Sequence, residues 1–113
     1  MHEYSIASAL LELVDEQARR HVATRVLAVH VGVGELAGVE PELLRQAFEL
    51  VRERSVCAGA SLEIRRVPAR WACRDCAASV PPGLELRCAA CAAPARLVEG
   101  AELLLERVEM EVA

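Results

Sequence analysis

Apolar residues near the start of the chain recur at helical spacing: Ile6, Leu10, Leu13, Val14 and Ala18 are separated by steps that return to one face. Glu12, Asp15, Glu16, Arg19 and Arg20 fall mostly on the other face, acids first and bases last, as the helix dipole prefers. This pattern predicts a helix from Ile6 to His21 with Ser5 as its N-cap, leaving residues 1–4 as a free end. RVLAVHVGV then alternates, with Leu27, Val29, Val31 and Val33 on one face and Ala28, His30 and Gly32 on the other, and predicts a strand. GELAG ends it. Glu40-Pro41-Glu42 opens a second helix, with proline at its first position and acids at its positive end, and Leu44, Ala47, Phe48 and Val51 form its buried stripe.

After Cys57-Ala58-Gly59, the segment SLEIRRV alternates Leu62 and Ile64 against Glu63 and Arg65, which predicts a second strand closed by Pro68. At the C-terminus, ELLLERVEMEV predicts a third strand. It sets Leu104, Val108, Met110 and Val112 on one side and Arg107, Glu109 and Glu111 on the other. Between these strands the helical and strand periods vanish, and cysteines and prolines accumulate. The order implies an α+β fold: two helices packed on a three-stranded sheet, with a separate small unit, residues 68–98, inserted between strands. Residues 1–67 and 99–113 form the larger unit. At 113 residues the chain can support one modest core, so the insert needs some other means of holding its shape.

Composition narrows the function classes. Aromatic residues are only 3% of a chain that is 54% hydrophobic, so the core is aliphatic. A net charge of -4 argues against a nucleic-acid partner, whose phosphates call for a basic surface. No apolar run approaches the length of about 20 residues that spans a bilayer, and the first fourteen residues lack the basic start and cleavage site of a secretory signal. The expectation is a cytoplasmic protein without a membrane partner. In that compartment its five cysteines are ligands or free thiols rather than disulfides.

Four of the five form CRDC at 73–76 and CAAC at 88–91. Two C-x2-C turns facing each other present four soft thiolates at tetrahedral spacing, the donor set of structural Zn(II). A thioredoxin-like pair would instead sit at the start of a helix in a βαβ unit, which this pattern lacks. Zinc would supply on the order of 10 kcal/mol of folding energy that the insert cannot draw from a core. A zinc ribbon can also bind nucleic acid. Here residues 68–100 carry four arginines and three acids, and four thiolates around one Zn(II) turn that balance to about -1. Trp71 is then a hydrophobic lid on a knuckle, and Cys57, without a partner at ligand spacing, a small buried hydrophobe. His21 at a helix end and His30 within a strand have structural explanations that require no metal.

His2 has two readings. A terminal histidine can be solvated and inert. Alternatively the α-amine, the amide nitrogens of residues 2 and 3 and the His2 imidazole present four nitrogens to a d8 ion that prefers a square plane, such as Ni(II) or Cu(II). A histidine at position 2 also favours retention of Met1.

MHEYSIASALLELV, VGVGELAGVEPELLRQAFELV, GASLEIRRVPARWACRDC with CAAC, and the closing GAELLLERVEMEV together resemble the HypA/HybF family of hydrogenase maturation factors, over essentially the whole chain. The resemblance implies a nickel metallochaperone rather than an enzyme. It implies Ni(II) as transient cargo at Met1, His2 and Glu3, Zn(II) held structurally by Cys73, Cys76, Cys88 and Cys91, and Glu40 at an acidic position near the nickel site. The implied partners are the GTPase HypB and the precursor of the [NiFe]-hydrogenase large subunit. The competing reading is a zinc-ribbon interaction or nucleic-acid-binding protein with an inert N-terminus. This chain departs from the family pattern in a short loop, ASVPPGLELR, and in lacking a glycine after its last cysteine.

Overall fold

The computed structural model describes residues 2–83 and 85–113. In chain order its elements are α1 (His2–Arg20), β1 (Ala23–Gly34), α2 (Pro41–Val51), β2 (Ser61–Val67), β3 (Arg70–Cys73), β4 (Ser79–Val80), β5 (Ala95–Glu99) and β6 (Leu103–Val112). A single 3-10 turn, Arg52–Arg54, follows α2. The strands form two sheets of three, ordered β2-β1-β6 and β4-β3-β5. The expected α+β architecture with an inserted cysteine unit is therefore the architecture observed. No helix among the described residues is long and apolar enough to cross a membrane.

β1 pairs parallel with β2 and antiparallel with β6. A parallel pair needs a crossover, and α2 supplies it. Ala7, Leu10, Val14 and Ala18 of α1 pack with Leu44, Ala47 and Phe48 of α2 over Val26, Val29, Val31 and Val33 of β1 and Leu62 of β2. Cys57 is fully buried in this core, as expected of a small hydrophobe, and burial pushes its thiol up to about 11. The cysteine unit has its own small cluster, Cys73, Val80 and Cys88, with Trp71, Ala93 and Ala95 against it. Trp71 thus takes the packing role expected of it. The two clusters share no residue.

Three local expectations need correction. The first helix does not begin after Ser5 but at His2, so residues 2–4 are its opening turn rather than a free end. Nothing from His2 to Ser5 breaks a helix, and Glu3 in the first turn favours one through the dipole. Second, Leu27 is 41% exposed while Val26 is buried, because the register with β6 skips Leu27 between the Val26–Met110 and Ala28–Glu109 pairs. Third, Leu104 is 54% exposed, while Leu103 and Leu105 join Val108 and Met110 against the core. The skip at Glu106, between the His30–Arg107 and Val31–Leu105 pairs, reverses the alternation along β6. Val112, at the strand's end, is exposed as well.

Candidate metal centres

The four cysteines sit in two turns built alike. Cys73 closes β3, its amide donates to the Ala78 carbonyl at 2.8 Å, and its own carbonyl accepts from Ala77 at 3.1 Å. Cys88 repeats this arrangement, with its amide on the Ala93 carbonyl at 3.0 Å and its carbonyl accepting from Ala92 at 2.8 Å. Each turn closes through a left-handed alanine, Ala77 at φ 62° and Ala92 at φ 60°. The missing glycine is therefore no obstacle: Ala92 adopts the required backbone itself, at some strain. Ala92→Gly is expected to stabilise the zinc-loaded turn by up to about 1 kcal/mol, because glycine visits this region without a Cβ clash. Competition with a chelator measures it, and zinc lost as fast as, or faster than, from wild type would remove the strain argument.

The four sulfurs all lie within 4.8 Å of one another. Cys73 and Cys91 are 3.2 Å apart, Cys76 and Cys88 3.6 Å, and Cys76 and Cys91 4.0 Å. A tetrahedron of sulfurs with Zn–S bonds of about 2.3 Å has edges of about 3.8 Å, so the quartet fits such an ion. Amides of Asp75 and Cys76 both donate to the Cys73 sulfur at 3.4 Å. With the Cys76 amide as the largest cause, they hold the Cys73 thiol down at about 6. The Cys88 thiol is lowered too, first by the Cys91 amide. At Cys91 a hydrogen bond from the Ala93 amide lowers the thiol, but crowding by Cys73 and the other sulfurs outweighs it and pushes it up to about 12. Cys76 is raised for the same reason, against the Ala78 amide. Two thiols lowered beside two raised is the mark of crowded sulfurs, and a dication would relieve the repulsion that opposes ionising the raised pair.

In the helix-bearing unit, α1 and α2 begin beside each other. The Glu40 amide donates to Glu3 Oε2 at 3.1 Å, and Glu40 Oε1 accepts from the Glu42 amide at 3.3 Å, capping α2. Glu3 and Glu40, 37 positions apart in sequence, are thus joined by one hydrogen bond. His2 is exposed beside them. The amides of the first helical turn have no intrahelical carbonyl to donate to, and the Glu3 amide turns to its own carboxylate instead. Met1, the remaining member of the expected nickel set, lies outside the described residues.

The bond from Glu40, then Glu3's own amide and the nearby His2, hold the Glu3 carboxyl below its usual 4.5. Because the folded value lies below the unfolded one, this contact stabilises the fold above about pH 4.5 and is lost as pH falls through the folded value. Titrating the Glu3 carboxyl carbon by NMR should give a midpoint below that of an ordinary glutamate, and a midpoint at or above it would mean the contact is absent in solution. His30, given no metal role, lies 2.5 Å from Glu109 and 3.2 Å from Arg107 on the sheet face away from the helices.

A tetrathiolate cradle able to hold a metal ion marks a metal-binding protein. The comparisons agree. The description "Hydrogenase/urease nickel incorporation, metallochaperone, hypA" matches residues 1–110. The chain is 46% identical to the hydrogenase maturation factor HypA of Wolinella succinogenes, over 98% of this chain and 96% of that one. It is 40% identical to HypA of Shewanella oneidensis, over 100% and 98%. The solution structure of the nickel metallochaperone HypA from Helicobacter pylori superposes with a TM-score of 0.74 at 33% identity, over 98% of each chain. A second HypA solution structure gives 0.82 at 33% identity, over 100% of this chain and 98% of that one. The chain belongs to the HypA family of nickel-incorporation metallochaperones for hydrogenase maturation.

Proposed function

We propose that this protein captures Ni(II) at its N-terminus and hands it on for assembly of a [NiFe]-hydrogenase, in the cytoplasm and without catalysing a reaction. Its partners in this reading are the GTPase HypB and the precursor of the hydrogenase large subunit. The family match from residue 1 supports it, and the observation that carries it is the first turn of α1, held against the α2 cap by the Glu3 to Glu40 bond with His2 exposed alongside. The Met1 amine, the amide nitrogens of His2 and Glu3 and the His2 imidazole are the donors, and Glu40 is a nearby carboxylate that can serve as a further oxygen donor during transfer. Binding through amide nitrogens releases protons, so capture weakens as pH falls.

In the same reading residues 1–67 and 99–113 form the nickel-binding unit and residues 68–98 the zinc ribbon. Cys73, Cys76, Cys88 and Cys91 would hold Zn(II), which supplies charge compensation and a cross-link but no reaction. Calorimetry of untagged protein tests the nickel site: binding should be lost on adding a few residues before Met1. Binding that survives both this extension and loss of the His2 imidazole would place the nickel elsewhere.

A further inference from the structure

Two strands of chain connect the helix-bearing unit to the ribbon, and both cross the GELAG loop at a narrow waist. The loop's backbone engages the returning strand twice: the Gly34 amide donates to the Glu102 carbonyl at 2.9 Å and the Leu36 amide to the Gly100 carbonyl at 2.8 Å. On the outgoing strand, the Glu35 amide reaches the Val67 carbonyl at 2.8 Å, which extends the β1–β2 pairing. Pro68 has no amide to offer. Past it, the Glu35 carboxylate accepts from the Ala69 amide at 2.8 Å. The backbones here nearly touch. A Cβ on Gly34 would lie 2.3 Å from the Gly100 oxygen, and one on Gly100, at φ +105°, would lie 2.6 Å from the Ala69 Cα.

Little else braces the waist. An open cleft of about 360 Å³ between Gly32, Arg65, Gly100 and Leu104 flanks one side, and one of about 450 Å³ between Glu35, Glu40, Arg66 and Pro68 flanks the other. The hydrophobic clusters of the two units have no residue in common. The radius of gyration is 17.9 Å, against about 13 Å for a compact chain of this length, and the molecule measures 56 × 29 × 16 Å. Side-chain packing therefore does not set the angle between the units. The waist's hydrogen bonds and its close backbone contacts do so.

We infer that Glu35 is the positioning residue of this waist, its carboxylate holding the outgoing strand at Ala69 and so fixing the ribbon's orientation on the helix-bearing unit. Two backbone bonds hold the returning strand and one holds the outgoing strand at Val67, but that last bond lies on the near side of Pro68, where the chain can still turn. The attachment beyond Pro68 makes the joint a fixed one. The same loop runs on to Glu40, whose amide takes the Glu3 carboxylate, so one segment of seven residues contacts both the ribbon's connection and the N-terminal turn.

Residual dipolar couplings of the zinc-loaded, nickel-free protein test this, since they report relative orientation whatever the stability of either unit. For wild type and for Glu35→Gln, whose amide oxygen still accepts, one alignment tensor should fit the amides of both units. For Glu35→Ala the ribbon should need its own tensor, reduced at least about twofold in magnitude by motion relative to the sheet. Glu35→Asp, one methylene too short to reach, replaces the alanine variant if that variant does not fold. A common tensor in the shortened variants, separate tensors in wild type, or a glutamine variant as loose as alanine would each overturn the assignment. Because nickel is absent throughout, the result is independent of the nickel site proposed above.

Discussion

Replacing His2 with alanine is expected to weaken Ni(II) binding at least about 100-fold, close to 3 kcal/mol, while leaving zinc content and the fold unchanged. The imidazole is the one side-chain nitrogen in the proposed set. The others are the α-amine and main-chain amides, which any sequence provides. Without the imidazole, a d8 ion at this end keeps three nitrogens and must complete its plane with water or a weak carboxylate. The side chain is exposed, so its removal opens no cavity. Calorimetry together with the square-planar absorption of Ni(II) reads both affinity and geometry. Wild-type affinity with the same absorption band would refute the site, and a Glu3→Ala control separates the ligand from its support: there the amide donors persist and the carboxylate's bonds to the Glu40 amide and its own amide are lost.

The second large effect is expected at the ribbon. Removing zinc with a chelator, or replacing Cys73 with serine, should unfold residues 68–98 while leaving α1, α2 and the β2-β1-β6 sheet in place. Zinc in such units contributes on the order of 10 kcal/mol, against three small buried side chains among the described residues of the ribbon. The larger unit is independent of that contribution. Its core is built on fully buried Phe48, Leu44, Val29 and Val31, none of which touches the cysteine cluster. Amide spectra with and without chelator distinguish the outcomes. Collapse of ribbon dispersion with the sheet resonances intact is expected. Retained ribbon dispersion in metal-free protein, or loss of both units together, would contradict the separation of the two cores.

Most of the fold is legible in the residues because the dominant signals are local. Pro41 and Glu40 mark the start of α2, and the structure places both there. SLEIRRV is a strand from Ser61 to Val67. The cysteine spacing anticipates a quartet that does converge. The expectations that fail along the strands depend on partners distant in sequence. Leu104 and Leu105 look equivalent along the chain. Only the bulge at Glu106, a feature of pairing with β1, turns Leu105 inward and Leu104 to solvent. Leu27 is the same case on β1. Nor does any spacing rule show that Ala77 and Ala92 close the two knuckles in the same left-handed backbone, a strain that alanine accepts only because the turns on either side impose it.

The chemistry divides along the same line. The sequence by itself determines which donors exist: four thiolates in two pairs, and an imidazole next to the chain's first amide, because ligand type is a property of single residues and short spacings. The tertiary structure alone decides what surrounds them. It begins α1 at His2, sets Glu3 on the Glu40 amide, and passes both connections to the ribbon through one waist at Gly34, Glu35 and Gly100. Those contacts join residues more than thirty positions apart. Pairings at that distance are selected by the competition of the whole chain for burial and hydrogen bonds, which no local pattern encodes.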